Sequence, residues 1–533
     1  MSLARCWGTQ LHGVTASLVE VEAHIGNGLP GMTIVGLPDA SVNEARERVR
    51  AAVANSGARW PDRRLTVALL PATQRKRGSG LDMAIAAAVL TASGQMPDSE
   101  LDEVVLIGEL GLDGRTRSVA GALCRVIAAE QAGRRVLVCP ADLAEAALVD
   151  PQAAAVDSLG HLLRVVHHRD EPFSHLSPHV PRQQGSEVPG AAPIPAMGAR
   201  PHRGDPPDVR DLDMADVRGQ VRAKHALEVA AAGGHHLLLL GAPGTGKTML
   251  AERLPSLLPR LTSQEALEVA SVHSACGLQR SQGALPRRRP FVAPHHTTTA
   301  VAMVGGGHAG GLKPGLITRA HRGVLFLDEA PEFGRTCLEA LREPLERGEI
   351  TLARLADSVV LPARVQLVLA ANPCPCGRFE GDGGQCQCPV AARRRYRQRL
   401  SGPLLDRVDL ACGMDPPGHH SAGAQAPSET SRVLAERIAA ARVRMADRFE
   451  GLGYSTNADI PVAHLEGRFS PSAAARDVLV ELERSGNVSM RGLHRVSRVA
   501  WTLADLDGAE QPELVHVSSA LSLRVPGAWS RWQ

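Results

Sequence analysis

A short apolar run, His236-Leu237-Leu238-Leu239-Leu240, stops at Gly241, passes through Ala242-Pro243-Gly244-Thr245-Gly246-Lys247-Thr248, and enters a helical pattern at Met249-Leu250-Ala251. A buried strand feeding a helix through a glycine-rich loop is the unit of a parallel α/β sheet covered by helices, so this stretch sets the fold class at α/β. It also predicts chemistry. Glycines let backbone N–H groups converge on phosphate oxygens, and the helix N-terminus adds positive potential. Lys247 is placed to reach the β- and γ-phosphates of a bound ATP, and Thr248 to present its hydroxyl to Mg²⁺. Lys76, Lys224, Lys247 and Lys313 are the only lysines among 59 cationic residues, so a chance Gly-Lys pair in a glycine-rich turn is a poor competing explanation.

Two further strand ends complete the pattern. Val324-Leu325-Phe326-Leu327 runs into Asp328-Glu329; downstream of a phosphate loop, Asp328 suits Mg²⁺ and Glu329 suits polarising the attacking water. Val365 to Ala371 ends in Asn372, read either as a group touching the γ-phosphate or the water, or as a turn residue before Pro373.

At 533 residues the chain is too long for one ordinary domain. Proline-, glycine- and histidine-rich stretches at 167–208 and 415–431 read as linkers. They leave an N-terminal α+β segment at 1–166, a core at 209–414 and a mostly helical segment at 432–533. In the first, Val14 to Val21 and Leu65 to Leu70 read as strands and Leu81 to Thr91 as a buried helix. In the last, Ser470-Pro471 is expected to start a helix. A formal charge of +3 excludes a protein that coats nucleic acid by bulk charge, so any such binding needs local patches. Aromatic residues at 3% are poor material for base-stacking platforms. No apolar stretch approaches the roughly 20 residues that span a bilayer, and Met1 to Gly13 lacks a leader's apolar region; a cytoplasmic protein with reduced or metal-bound cysteines is expected, with no membrane partner.

The stretches Arg289 to Thr299, Gly323 to Phe333, Leu341 to Arg354, Ala370 to Gly377, Arg399 to Leu410 and Met490 to Leu506 resemble the AAA+ ATPases of the magnesium-chelatase-like ComM/YifB family. Ala330 stands where that family leads one to expect Leu. The resemblance implies a homo-hexameric ring with ATP between subunits, a P-loop AAA+ core and a C-terminal helical lid. Arg407 would be the arginine finger and Arg491, or alternatively Arg495, the second-sensor arginine. His295 to Gly311 and Glu349 to Leu361 occupy positions of inserts that form hairpins facing a central channel. Arg354, near the tip of the second, could follow DNA phosphates, or be a solvated turn residue. The run Arg393 to Arg397 is a further candidate, with a structural helix face as the alternative.

Cys374, Cys376, Cys386 and Cys388 could close a structural Zn²⁺ site, or be four reduced thiols in a turn. The other six cysteines read as core, and His235-His236 and His419-His420 as unremarkable. Gly108 to Leu123 resembles the proteolytic domain of Lon-type proteases, which needs a Ser nucleophile and a Lys base. Ser79 falls near the nucleophile, but Leu123 takes the lysine position and the nearest cations are Arg125 and Lys76, so proteolysis is not expected. The expected function is therefore an ATP-driven DNA motor, a helicase or branch-migration factor in recombination or natural transformation. The alternatives are a chelatase-type motor remodelling a protein partner, and an ATP-dependent protease.

Overall fold

The computed structural model describes residues 2–97, 101–167, 212–278, 284–308, 311–354, 357–379, 386–414, 429–486 and 488–524. Most of both expected linkers, and His419-His420, lie outside these residues. No helix among the described residues is long and apolar enough to cross a membrane.

The N-terminal part is built on a seven-stranded mixed sheet: β1 (Ser2–His12), β2 (Thr15–Gly26), β3 (Gly31–Val35), β4 (Arg64–Leu70), β5 (Val104–Ile107), β6 (Arg135–Val138) and β7 (Ala154–Ala155), in the order β3-β4-β2-β1-β5-β6-β7. The alternation seen in Val14 to Val21 becomes the inner half of β2, where Val19, Val21 and Ala23 face the core. Against it packs the helix Asp82–Ala92, every residue of which is buried, as its run of small apolar side chains requires.

The second sheet is five-stranded: β8 (Leu237–Leu240), β9 (Phe291–Val292), β10 (Val324–Leu327), β11 (Gln366–Ala371) and β12 (Leu410–Gly413), in the order β9-β10-β11-β8-β12 with every pairing parallel. β8, β10 and β11 are buried throughout, as continuous apolar strands covered on both faces must be. Parallel pairing puts the carboxyl ends of all five on one edge, so the loops after β8, β10 and β11 are neighbours although their residues are far apart in sequence. Two antiparallel hairpins project from this part, Gly305–His308 with Gly311–Pro314 and Glu349–Arg354 with Asp357–Pro362. Arg354 closes the first strand of the second hairpin; its side chain lies outside the described residues.

The C-terminal part is helical, with helices Ser431–Arg448, Ala473–Arg484, Met490–Asp507 and Leu514–Arg524, and shares one hydrophobic core with one face of the second sheet. Ser470-Pro471 does not start a helix. Ser472 caps Ala473–Arg484 by accepting from the Ala475 N–H, while the Ser470 N–H is already bonded to Gly467 O in the preceding turn. The N-terminal part is tied to the core through Ser274, whose backbone O accepts from Gly121 N–H and whose hydroxyl accepts from Leu123 N–H.

Candidate phosphate site and its flanking clusters

The helix Lys247–Leu257 follows β8 directly, and its N-cap, Gly246, supplies no side-chain acceptor. The first-turn N–H groups are left for a ligand. Gly244 and Gly246 have φ of +81° and +92°, a region costly for other residues, and a Cβ at either would meet open space. Backbone conformation, not crowding, therefore requires glycine here. Lys247 curls back over the loop: its Nζ donates to Gly241 O at 2.7 Å, Ala242 O at 3.0 Å and Asn372 Oδ1 at 3.0 Å. Burial lowers the Lys247 pKa, while the charges of Asp328 and Glu329 oppose that shift.

Strand order explains this meeting. β11 lies between β8 and β10, so Asn372 at its end stands between the loop after β8 and the acids after β10. The Thr248 hydroxyl donates to Asp328 Oδ2 at 2.7 Å, a pair of hard oxygen donors that fits Mg²⁺. Asp328 Oδ1 accepts from Glu329 N–H at 2.9 Å. Glu329 has φ of +50°, an uncommon left-handed conformation for a non-glycine residue, and its side chain is exposed, 3.8 Å from His296 Nδ1. One chain thus gathers an uncapped helix N-terminus, an ammonium, an amide, a hydroxyl and two carboxylates. These groups fit a nucleoside triphosphate with its metal.

The arginines stand elsewhere. Arg407 pairs with Glu346 and donates to Pro403 O at 2.7 Å; none of its bonds reaches the phosphate loop. Arg491 is exposed at the start of the helix Met490–Asp507, and its charge acts on the same Glu346. Arg495 is committed internally. Its Nη1 pairs with buried Asp409 and donates to Arg407 O at 3.0 Å, which fastens the C-terminal helix to the core. The His235-His236 pair, passed over in the sequence, belongs to the same junction. His235 Nε2 lies 2.7 Å from the Thr502 hydroxyl and its Nδ1 3.5 Å from Asp409, while His236 Nδ1 accepts from Leu367 N–H. Its only sequence signal was a pair of polar residues abutting a buried strand.

The four cysteines converge. Cys374 Sγ lies 3.3 Å from Cys376 Sγ and 3.6 Å from Cys386 Sγ, and Cys376 and Cys386 are 3.7 Å apart. With Cys388, all four sulfurs lie within 4.8 Å of one another. Of the other six, Cys276 is only half-buried, contrary to the expectation that all six are core. Arg393 and Arg397 face the Phe379 ring at 4.1 and 5.7 Å, and Tyr396 is buried, so this helix has a packed face.

In the N-terminal part the Ser79 hydroxyl is bonded to Glu109, and Lys76 is buried with Nζ donating to Pro71 O and to Gln74 O at 2.9 Å. Leu123 is core. Arg125, two residues on, is buried with its guanidinium against Gly80, where a Cβ would lie 2.9 Å from Nη1. It donates to Thr9 O at 2.5 Å. Ser79 and Arg125 line a cavity of about 960 Å³ that also touches Leu312 and Val359 of the hairpins. No Ser–Lys pair forms among the described residues.

Residues 213–421 match the family described as "Magnesium chelatase, subunit ChlI", 21–142 match "Subunit ChlI of Mg-chelatase", and 428–524 match "Magnesium chelatase, subunit ChlI C-terminal". An uncharacterized protein of Mycobacterium tuberculosis is 47% identical over 99% of this chain and 100% of its own length. YifB of Escherichia coli is 39% identical over 96% of this chain and 95% of its own length. The competence protein ComM of Haemophilus influenzae is 38% identical over 98% of both. Matched along nearly its whole length and carrying this phosphate site, the chain belongs to the magnesium-chelatase-like ComM/YifB family of AAA+ ATPases.

Proposed function

We propose that the chain is an ATP-hydrolysing motor that works as a six-membered ring and moves on DNA, as a branch-migration helicase in recombination or in the uptake of transforming DNA. In this reading Lys247 and the loop N–H groups bind the β- and γ-phosphates, Thr248 and Asp328 hold Mg²⁺, and Asn372 and Glu329 orient the attacking water. The metal would supply charge neutralisation on the phosphates. The observation that carries the reading is the separation of Arg407 from the loop of its own chain. A guanidinium paired with exposed Glu346 is available to a neighbour's γ-phosphate, and Arg491 beside the same glutamate would accompany it. A site finished by the next subunit couples hydrolysis to movement between subunits.

The DNA part draws on the likeness to a protein named for competence and on the two hairpins, with Arg354 near one tip. Backbone tracking by arginines needs no aromatic platform. Residues 1–166 act in this reading as a Lon-like domain without proteolysis, given the partners of Ser79 and Lys76, and 432–533 as the lid of the 209–414 core. The four cysteines hold a structural zinc. The test is ATP turnover by the full chain and by Lys247→Ala, with and without forked or four-way DNA, alongside displacement of a labelled strand. DNA-stimulated turnover and strand displacement, both lost in the variant, are expected. Turnover indifferent to every DNA form would overturn the DNA reading in favour of a motor that remodels a protein partner.

A further inference from the structure

The chain from Asn372 to Gly377, which leads into and includes part of the four-cysteine cluster, meets the phosphate loop at two points. Cys374 lies two residues after Asn372, whose Oδ1 holds the Lys247 ammonium at 3.0 Å. Gly377, inside the cluster, is buried with φ of +73° and packs so tightly on Pro243 that a Cβ there would lie 2.4 Å from Pro243 Cδ. The chain entering the cluster therefore abuts the loop at its lysine, and Gly377 within it abuts the proline. Among the described residues between Asn372 and Val390 there is no strand or helix; the contacts there include the Gly377 N–H bond to Cys374 O, backbone bonds of Arg378 and Phe379 to the cysteine sulfurs, and Phe379 lying against Arg393 and Arg397.

The sulfurs are spaced for a metal. Four thiolates at the ~2.3 Å Zn–S distance stand about 3.8 Å from one another along the edges of a tetrahedron. The separations of 3.3, 3.6 and 3.7 Å among Cys374, Cys376 and Cys386 are near that edge. Zinc without a further ligand in a closed four-sulfur site has no open position for chemistry, so its effect must be exerted through the backbone it fixes.

We propose that a Zn²⁺ on Cys374, Cys376, Cys386 and Cys388 sets the nucleotide affinity of the phosphate loop, by clamping Asn372 against Lys247 and Gly377 against Pro243. This rests on the structural zinc and the ATP site of the preceding reading and gives the metal a task there. With zinc bound, Lys247 and Pro243 keep the positions that the phosphates need. Without it, the segment from 373 to 388 loses its cross-link, and both contacts loosen.

The full-length protein is tested as purified, in excess Mg²⁺, by zinc content per chain and by titration with a fluorescent ATP analogue. One zinc per chain is expected. Zinc-free protein, made with a zinc-selective chelator or as Cys376→Ser/Cys388→Ser, is expected to keep its far-UV circular dichroism and bind the analogue at least ten-fold more weakly. Added Zn²⁺ should restore affinity to the chelated protein but not to the double variant. Gly377→Ala separates metal from coupling: it removes no ligand, so zinc content should stay at one while affinity falls. A chain that carries no zinc and has four reactive thiols would overturn the metal site. Unchanged affinity in both zinc-free protein and Gly377→Ala would overturn the coupling and leave the metal standing. If the zinc-loaded parent binds no analogue at all, the ATP reading itself is wrong.

Discussion

Replacing Arg495 with alanine separates an arginine tied into the fold from Arg491, the arginine on the same helix that we propose acts at the ATP site. Asp409 is 4% exposed and has three partners: the Arg495 guanidinium, the His236 N–H at 3.2 Å, and His235 Nδ1 at 3.5 Å. Burial pushes its pKa up, but the His235 hydrogen bond and the Arg495 charge outweigh this and hold the carboxyl well below the usual range. Removing one partner of a buried pair costs about 3–5 kcal/mol, because the other charge stays behind unpaired. His235 Nδ1 and the His236 N–H still face the carboxylate in the variant, which puts the loss near the lower end, about 3 kcal/mol. For a cooperative unit of roughly 200 residues that is a fall in Tm of about 6–12 °C. Scanning calorimetry at pH 8 and pH 5.5 tests both the size and the sign. In the parent, the depressed carboxyl pKa gives stability that is complete above about pH 4 and lost only as pH falls further, so this window leaves it intact. In Arg495→Ala the stranded carboxylate has a raised pKa, so the penalty is full at pH 8 and shrinks as acid protonates it. The Tm gap to the parent should therefore be wider at pH 8. Arg491→Ala, exposed at the other end of the first turn, should leave Tm unchanged and slow ATP turnover. An Arg495→Ala protein melting within about 2 °C of the parent at pH 8 would refute the ledger.

Glu329→Gln should bind nucleotide with parental affinity and hydrolyse it at least 100-fold more slowly, read by binding titration beside a phosphate-release assay; parental turnover would remove Glu329 from the mechanism. Arg407→Ala should bind ATP yet turn it over poorly. Mixed with Lys247→Ala it should regain turnover at interfaces pairing an intact loop with an intact arginine, and a mixture no more active than its parts would count against a shared site. His321 is pushed down to about 4 by burial, against the opposing Glu268 hydrogen bond, and its Nδ1 accepts from Arg364 N–H. Its folded pKa lies below the unfolded value, so its contribution is full above about pH 6.5 and falls by up to ~3 kcal/mol as pH drops toward 4. Denaturant melts of the parent and His321→Gln at pH 7 and pH 4.5 should show a shallower pH loss in the variant, and equal slopes would exclude this histidine.

The phosphate loop was legible in the sequence because its chemistry is local. Eight consecutive residues carry the glycine conformations, the lysine and the hydroxyl, and the flanking runs specify strand and helix. Asp328-Glu329 and Asn372 were legible as strand ends, but their meeting with Lys247 was not. That depends on β11 lying between β8 and β10, an order written in no single segment. The junction of His235, Asp409, Arg495 and Thr502 left even less trace. Its members are up to 267 positions apart, and each alone looks like an ordinary polar residue beside an apolar run. The same holds for Arg125 against Gly80, whose partner comes from a separate segment of chain. Composition, periodicity and contiguous motifs determined which elements form and which loop binds phosphate, since those depend on neighbours along the chain. Which arginine is exposed and which is tied down, and which residues beside the cysteines meet the phosphate loop, was decided by packing, because a side chain's task is set by the groups that the fold brings against it.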